Sequence, residues 1–174
     1  QKLLGTRLIW SGLLAILAVG LLPFWPFSTP EFARAVWFGS LAIIGSSVFT
    51  TCNLIFQSRF KYNLSVLASS LGTLASLLVF LFLSVYKYPI SFLLFAHLIG
   101  WITIAVIALI LIRKFIRNIS PLFNLQYTVD LFKQSWPIAA TLSLNVLYFR
   151  ADSFMIAYFK SLSDAGIYNI AYSV

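Results

Sequence analysis

A chain of 174 residues that is 61% hydrophobic and 9% charged is poorly matched to a water-soluble fold, where roughly 45–50% and 25% are usual. A mean hydropathy of +0.96 points to a membrane, with room for five or six helical spans at about 20 residues each. A net charge of +8 raises nucleic acid as a partner, and the distribution of the basic residues, described below, argues against it.

The single cysteine, Cys52, excludes an intrachain disulfide. The chain begins at Gln1 without a secretory signal pattern and ends inside an apolar run, so a fragment of a longer protein is expected.

The first apolar run covers 8–24 and is closed by Pro23, Pro26 and Pro30, since proline disrupts a helix interior. The second covers about 32–56, the third 64–86 and the fourth 90–112. Segment 118–134 (NISPLFNLQYTVDLFKQ) mixes apolar and polar residues. It reads as a linker, either ordinary or with Ile119, Leu122, Phe123 and Leu125 on a short interfacial helix.

A fifth run covers about 132–159, longer than a span needs, so it is expected to tilt, kink or protrude. A sixth opens at Ile167. Continuous apolar runs favour helices over barrel strands, which alternate over about 10 residues. The expected fold is an all-α polytopic transmembrane bundle. Trp10, Trp25, Trp37 and Trp136 fall near expected span ends, where interface aromatics collect.

Basic residues alternate in density between the two sides. Lys2, Arg7, Arg59, Lys61, Arg113, Lys114, Arg117 and Lys133 fall on one side, and Arg34, Lys87 and Lys160 on the other. The positive-inside rule puts the richer side, with loops 58–62 and 113–133, in the cytoplasm. Basic residues scattered at span ends do not form the grouped, aromatic-lined face that nucleic acid requires, so no nucleic-acid partner is expected.

Helical spacing gathers polar residues onto faces. In the second span Gly39, Ser46, Thr50, Asn53 and Gln57 share one. Ser46, Thr50 and Asn53 are candidate cavity-lining residues, with close helix packing the competing reading. In the third span Ser65, Ser69, Gly72 and Ser76 overlap a small-residue row of Ala68, Gly72 and Ser76, and packing is favoured there. In the fifth, Thr141, Asn145, Tyr148 and Asp152 form a stripe.

Arg150 and Asp152 are the residues of greatest interest, because charge at membrane depth is costly and usually faces a bundle interior or a substrate path. Positions two apart point to nearly opposite faces of a helix. Only Asp152 joins the stripe, and Arg150 aligns with Ser143. One of the two therefore partners a neighbouring helix, or the helix bends. Arg150 is either a structural partner, a snorkelling side chain or a cavity-lining contact.

His97, the only histidine, has no Cys or acidic residue in its own span. It is read as a hydrogen-bonded packing residue rather than a metal ligand. There is no G-x-S-x-G, no H-E-x-x-H and no phosphate-binding glycine loop. No catalytic residue, metal, cofactor or enzymatic activity is expected.

A family resemblance rests on the C-terminal segment. Ser135 and Pro137 start it, followed by Leu-Tyr-Phe-Arg-x-Asp-Ser at 147–153, then Tyr158-Phe159-Lys160, Gly166-Ile167-Tyr168 and Ala171-Tyr172. Gln57-Ser-Arg-Phe-Lys61 adds a tight turn. The segment resembles the start of the second half of Wzx-type O-antigen and exopolysaccharide flippases. Their superfamily also holds the MATE drug exporters and the lipid II flippase.

The resemblance implies part of a two-lobe MATE-like transporter: 1–117 as the end of the first lobe, 118–134 as a cytoplasmic inter-lobe linker, and 135–174 as the start of the second lobe. The first two spans and most of the second lobe are absent, so this chain would not form the whole cavity.

The implied function is flipping of an undecaprenyl-pyrophosphate-linked oligosaccharide across the bacterial cytoplasmic membrane, with H+ or Na+ as an unassigned coupling ion and membrane lipids as surroundings. Arg150 would meet phosphate, while Asp152, Asn145 and Tyr148 would line the sugar path or orient Arg150. The alternatives are a cation-coupled drug exporter with Asp152 as coupling acid, a membrane enzyme of glycan assembly, or a non-transporting scaffold. The short outer loops count against the enzyme.

Overall fold

The computed structural model describes residues 1–24, 29–116 and 120–172, apart from the side chain at 162. All regular structure among them is helical. They form two compact units, Gln1–Asn124 and Leu125–Val174.

The first unit contains α1 (Lys2–Gly20), α2 (Pro30–Ser58), α3 (Tyr62–Val85) and α4 (Leu93–Ile112), with 3-10 turns at Leu22–Phe24 and Ile90–Phe92. Among the described residues, four segments are long and apolar enough to cross a membrane: Lys2–Phe24, Pro30–Ser58, Tyr62–Val85 and Ile90–Ile112. The expected all-helical polytopic bundle is thus observed.

α4 is the central helix. It packs on both α2 and α3, and α2 also carries α1. Of the apolar windows, that of α4 is 39% buried, against 11%, 22% and 17% for the first three segments. The core gathers Cys52 and Phe56 at the end of α2, Ala68 in α3, and Ala108 and Ile112 at the end of α4. Phe115 closes this end, its ring 6.4 Å from that of Phe56.

Helix boundaries depart from the apolar runs for local reasons. α1 already starts at Lys2, so Lys2 and Arg7 lie on the helix and Trp10 stands near its middle rather than its end. Trp25 and Pro26 lie outside the described residues. α2 starts at Pro30, two residues before the expected position. Proline suits the first helical position because no amide donor is needed there. Thr29 caps this end, its hydroxyl accepting from the Phe32 amide at 3.1 Å.

α2 and α3 both end in left-handed residues that are not glycine, Phe60 (φ 55) and Lys87 (φ 53). After α2, the Lys61 amide donates to the Phe56 carbonyl at 2.8 Å and the Phe60 amide to the Gln57 carbonyl at 3.0 Å. After α3, Tyr88 and Lys87 donate in the same way to Leu83 and Ser84, at 3.0 and 3.1 Å. These bonds satisfy carbonyls that a helix end leaves orphaned and turn the chain sharply.

The small-residue row of α3 is a packing surface, as expected. Ala68 is fully buried and Gly72 is buried against α4. A Cβ on Gly72 would lie 2.8 Å from the Gly100 carbonyl oxygen and inside the Ile104 side chain. A Cβ on Gly100 would meet Ser76 Cβ at 2.8 Å. The two backbones come this close only because both positions lack side chains.

The second unit is a hairpin of α5 (Leu125–Phe159) and α6 (Leu162–Tyr172). α5 starts earlier than expected, so 125–134, read as linker, is helical. Gln126 Nε2 donates to Asp130 one turn on, at 3.3 Å. Leu122 and Phe123 are not helical, which corrects the interfacial helix; residue 119 lies outside the described residues. Pro121 keeps the preceding residue out of the helical region. Instead, Leu122 donates its amide to the Gln1 carbonyl at 3.4 Å, beside α1.

α5 is not among the segments apolar enough to qualify as a span by composition. Asn145, Arg150 and Asp152 lower its hydropathy. Pro137 sits inside α5 with helix on both sides. Thr141 Oγ1 donates to the Pro137 carbonyl at 2.9 Å.

Gly72→Ala is expected to cost about 1–3 kcal/mol, the usual range for overpacking a tight contact. Gly39→Ala, with nothing within 4 Å of the added Cβ, should leave stability unchanged or raise it. Thermal unfolding in detergent micelles checks the pair, and equal losses would contradict the α3–α4 contact.

Candidate functional site: the polar face of the α5–α6 hairpin

The hairpin geometry is set at its turn. α5 closes with the Lys160 amide on the Ile156 carbonyl at 2.9 Å. Ser161 then caps α6, its Oγ accepting from the Asp164 amide at 3.0 Å and donating to Asp164 Oδ2 at 2.7 Å. This reciprocal Ser-x-x-acid arrangement fixes where α6 begins. The antiparallel return then brings Tyr168 and Asn169 opposite the 150–153 stretch.

Arg150 and Asp152 both reach α6, but to different partners. Arg150 Nη1 donates to Asn169 Oδ1 at 3.3 Å. Ser153 Oγ donates to the same oxygen at 3.0 Å. Asn169 Nδ2 donates to the Ala165 carbonyl at 2.8 Å. The Tyr168 hydroxyl donates to Asp152 Oδ2, while Asp152 Oδ1 accepts from the Ser153 amide at 2.9 Å.

The expected divergence of Arg150 and Asp152 is therefore resolved by the neighbouring helix taking both side chains. The long arginine stem lets residue 150 reach across a hairpin that residue 152 meets directly. Asp152 and Ser153 are half-buried, whereas Arg150 is exposed.

The rest of the stripe is not drawn into this cluster. Asn145 is exposed. Tyr148 is 77% exposed, its ring 5.5 Å from that of its neighbour Phe149. In the sequence Tyr168 stands only within the Gly166-Ile167-Tyr168 motif, and Asn169 belongs to neither motif nor stripe. Polar residues in the short α6 run, counted back from the Lys160–Ser161 turn, carried the missing signal.

In the first unit, Ser46 Oγ donates to the Ile43 carbonyl at 2.8 Å and Thr50 Oγ1 to the Ser46 carbonyl at 2.7 Å. These hydroxyls satisfy themselves on their own helix. Asn53 is different: its Oδ1 accepts from Ser65 Oγ of α3 at 2.7 Å. The polar stripes of α2 and α3 meet at this bond.

His97 is hydrogen-bonded within its own helix, its Nε2 accepting from Trp101 Nε1 at 2.9 Å, and it is exposed rather than packed. Among the described residues no group of three or more His, Cys, Asp or Glu is placed to hold a metal ion.

A family model described as "Polysaccharide biosynthesis protein" matches residues 1–174. The chain belongs to the polysaccharide biosynthesis protein family. No curated protein and no solved structure matches it. Membership agrees with the four apolar segments, and the chain is a helical membrane protein of polysaccharide biosynthesis.

The Asn53–Ser65 bond is expected to give a coupling of about 0.6 kcal/mol in a double-mutant cycle of Asn53→Ala and Ser65→Ala, as interhelical bonds in membrane proteins do. Unfolding in micelles measures it. Strict additivity would mean that α2 and α3 do not meet there.

Proposed function

We propose that this chain is part of a flippase that moves an undecaprenyl-pyrophosphate-linked oligosaccharide across the bacterial cytoplasmic membrane. The observation that carries this reading is an exposed arginine, Arg150, held on a neutral amide within a polysaccharide biosynthesis family chain. A guanidinium offers five donors in a planar fork that suits phosphate. One donor is engaged by Asn169.

In this proposal the work is differential binding by two conformations rather than covalent chemistry. Arg150 holds the pyrophosphate. Asp152, Asn145 and Tyr148 line the sugar path or orient Arg150, and Ser46, Thr50 and Asn53 are cavity-lining residues of the first lobe. Residues 1–117 belong to that lobe, and the second lobe begins after the linker.

Glycan display in cells carrying Arg150→Ala or Arg150→Lys in the complete protein tests the site. The alanine variant should lose at least about tenfold in display, since a lost charged contact of 1.4 kcal/mol or more is a factor of ten. The lysine variant should keep part of it, because it keeps the charge but not the fork. Normal display with normal expression in both would remove Arg150 from the site.

The same proposal puts turn 58–62 in the cytoplasm and the Lys87 turn outside, from the uneven basic residues. In a Cys52→Ser background, Lys87→Cys should react with an impermeant maleimide on intact spheroplasts, and Lys61→Cys only after lysis. The reverse pattern would invert the orientation.

A further inference from the structure

We propose that Asn169 is the positioning residue that aims Arg150 through a neutral hydrogen bond; this inference rests on the anion-binding reading above. Its basis is how the two charges of α5 are distributed over α6. Two residues apart on one helix, a guanidinium and a carboxylate could quench each other once both lean toward the same neighbour. The hairpin instead gives each its own partner. The Tyr168 hydroxyl and the Ser153 amide occupy the Asp152 carboxylate. Arg150 is held by an uncharged acceptor.

The Asn169 amide is fixed at both ends. Its oxygen faces two donors, Arg150 Nη1 at 3.3 Å and Ser153 Oγ at 3.0 Å. Its nitrogen faces an acceptor, the Ala165 carbonyl at 2.8 Å. The flipped amide would oppose donor to donor on one side and acceptor to acceptor on the other, so only this orientation satisfies all three.

A neutral acceptor orients a guanidinium without cancelling its charge. A carboxylate at the same place would hold it more tightly and take away its attraction for an anion. Asn169 therefore serves the recognition of a phosphate or pyrophosphate group by Arg150 and does not itself need to touch that group.

The test compares Asn169→Asp, Asn169→Ala and Arg150→Ala in the complete protein, purified into nanodiscs. Binding is read with two probes, inorganic pyrophosphate in solution and a prenyl pyrophosphate in the bilayer. Arg150→Ala should weaken binding at least tenfold. Asn169→Ala, which frees the guanidinium, should weaken it several-fold. Asn169→Asp, the better acceptor, should weaken it as much as Arg150→Ala.

Asp keeps the acceptor that Ala lacks but loses the donor to Ala165, so thermal unfolding of each variant is measured beside binding; a loss of binding by Asn169→Asp that its loss of stability accounts for overturns this inference. Loss with Arg150→Ala but wild-type binding by Asn169→Asp overturns this inference and leaves the anion site standing. Unchanged binding by Arg150→Ala in both arms overturns the anion site, and the inference with it. Whichever probe follows the expected order identifies a lipid-borne or a free phosphate. If Asn169→Asp folds poorly, Asn169→Leu should lose several-fold and Asn169→Gln should recover most of it; wild-type binding by Asn169→Leu overturns the proposal.

Discussion

A polar group inside a bilayer has no water to turn to, and this constraint organises the chain. Several hydroxyls of α2 and α3 meet it locally. Ser46, Thr50 and Ser69 each donate to a carbonyl three or four residues back on their own helix. Such bonds need no second helix and place no demand on packing. Groups with more hydrogen-bonding capacity behave differently. Asn53 finds Ser65 across a helix pair, and the charges of α5 find α6. Ser46, Thr50 and Ser69 thus stay on their own helices, whereas Asn53, Arg150 and Asp152 each engage a neighbour.

Close approach, rather than hydrophobic burial, then holds the first unit together. Lipid is as apolar as leucine, so burying leucine against a neighbouring helix gains little. Among the described residues the fully buried ones accordingly include the small Ala68 and Ala108, with Phe56 the one large side chain. Many large apolar residues remain on the outside, Ile16 and Val85 among them. The Gly72–Gly100 contact lets the α3 and α4 backbones touch, and van der Waals contact over that seam does the work that a hydrophobic core does in water.

The sequence made the four apolar helices legible because each is a continuous run bounded by turns. It made the α3 packing row legible because small residues at steps of four share one face. Boundaries were less legible, since caps and charged flanks continue helices past their apolar runs: Lys2 in α1 and residues 125–134 in α5 are helical without being apolar throughout. The candidate site was half legible. Periodicity separated Arg150 from Asp152 on α5, but a single-helix wheel holds no information about a partner helix. Asn169 becomes visible only once the Lys160–Ser161 turn fixes the register of α6 against α5.

That register has a consequence for how α5 enters a membrane. α5 carries an arginine and an aspartate in its C-terminal half, and each costs about 2.5–3.5 kcal/mol at a helix centre on insertion scales. Its composition accordingly falls short of the four segments that qualify as spans. α6 supplies the partners that offset this cost, Asn169 for Arg150 and Tyr168 for Asp152. A turn of two residues joins the helices, so the polar residues of α5 and their partners on α6 belong to one hairpin rather than to two independent helices. The residues that make α5 a poor span alone are those that tie it to α6.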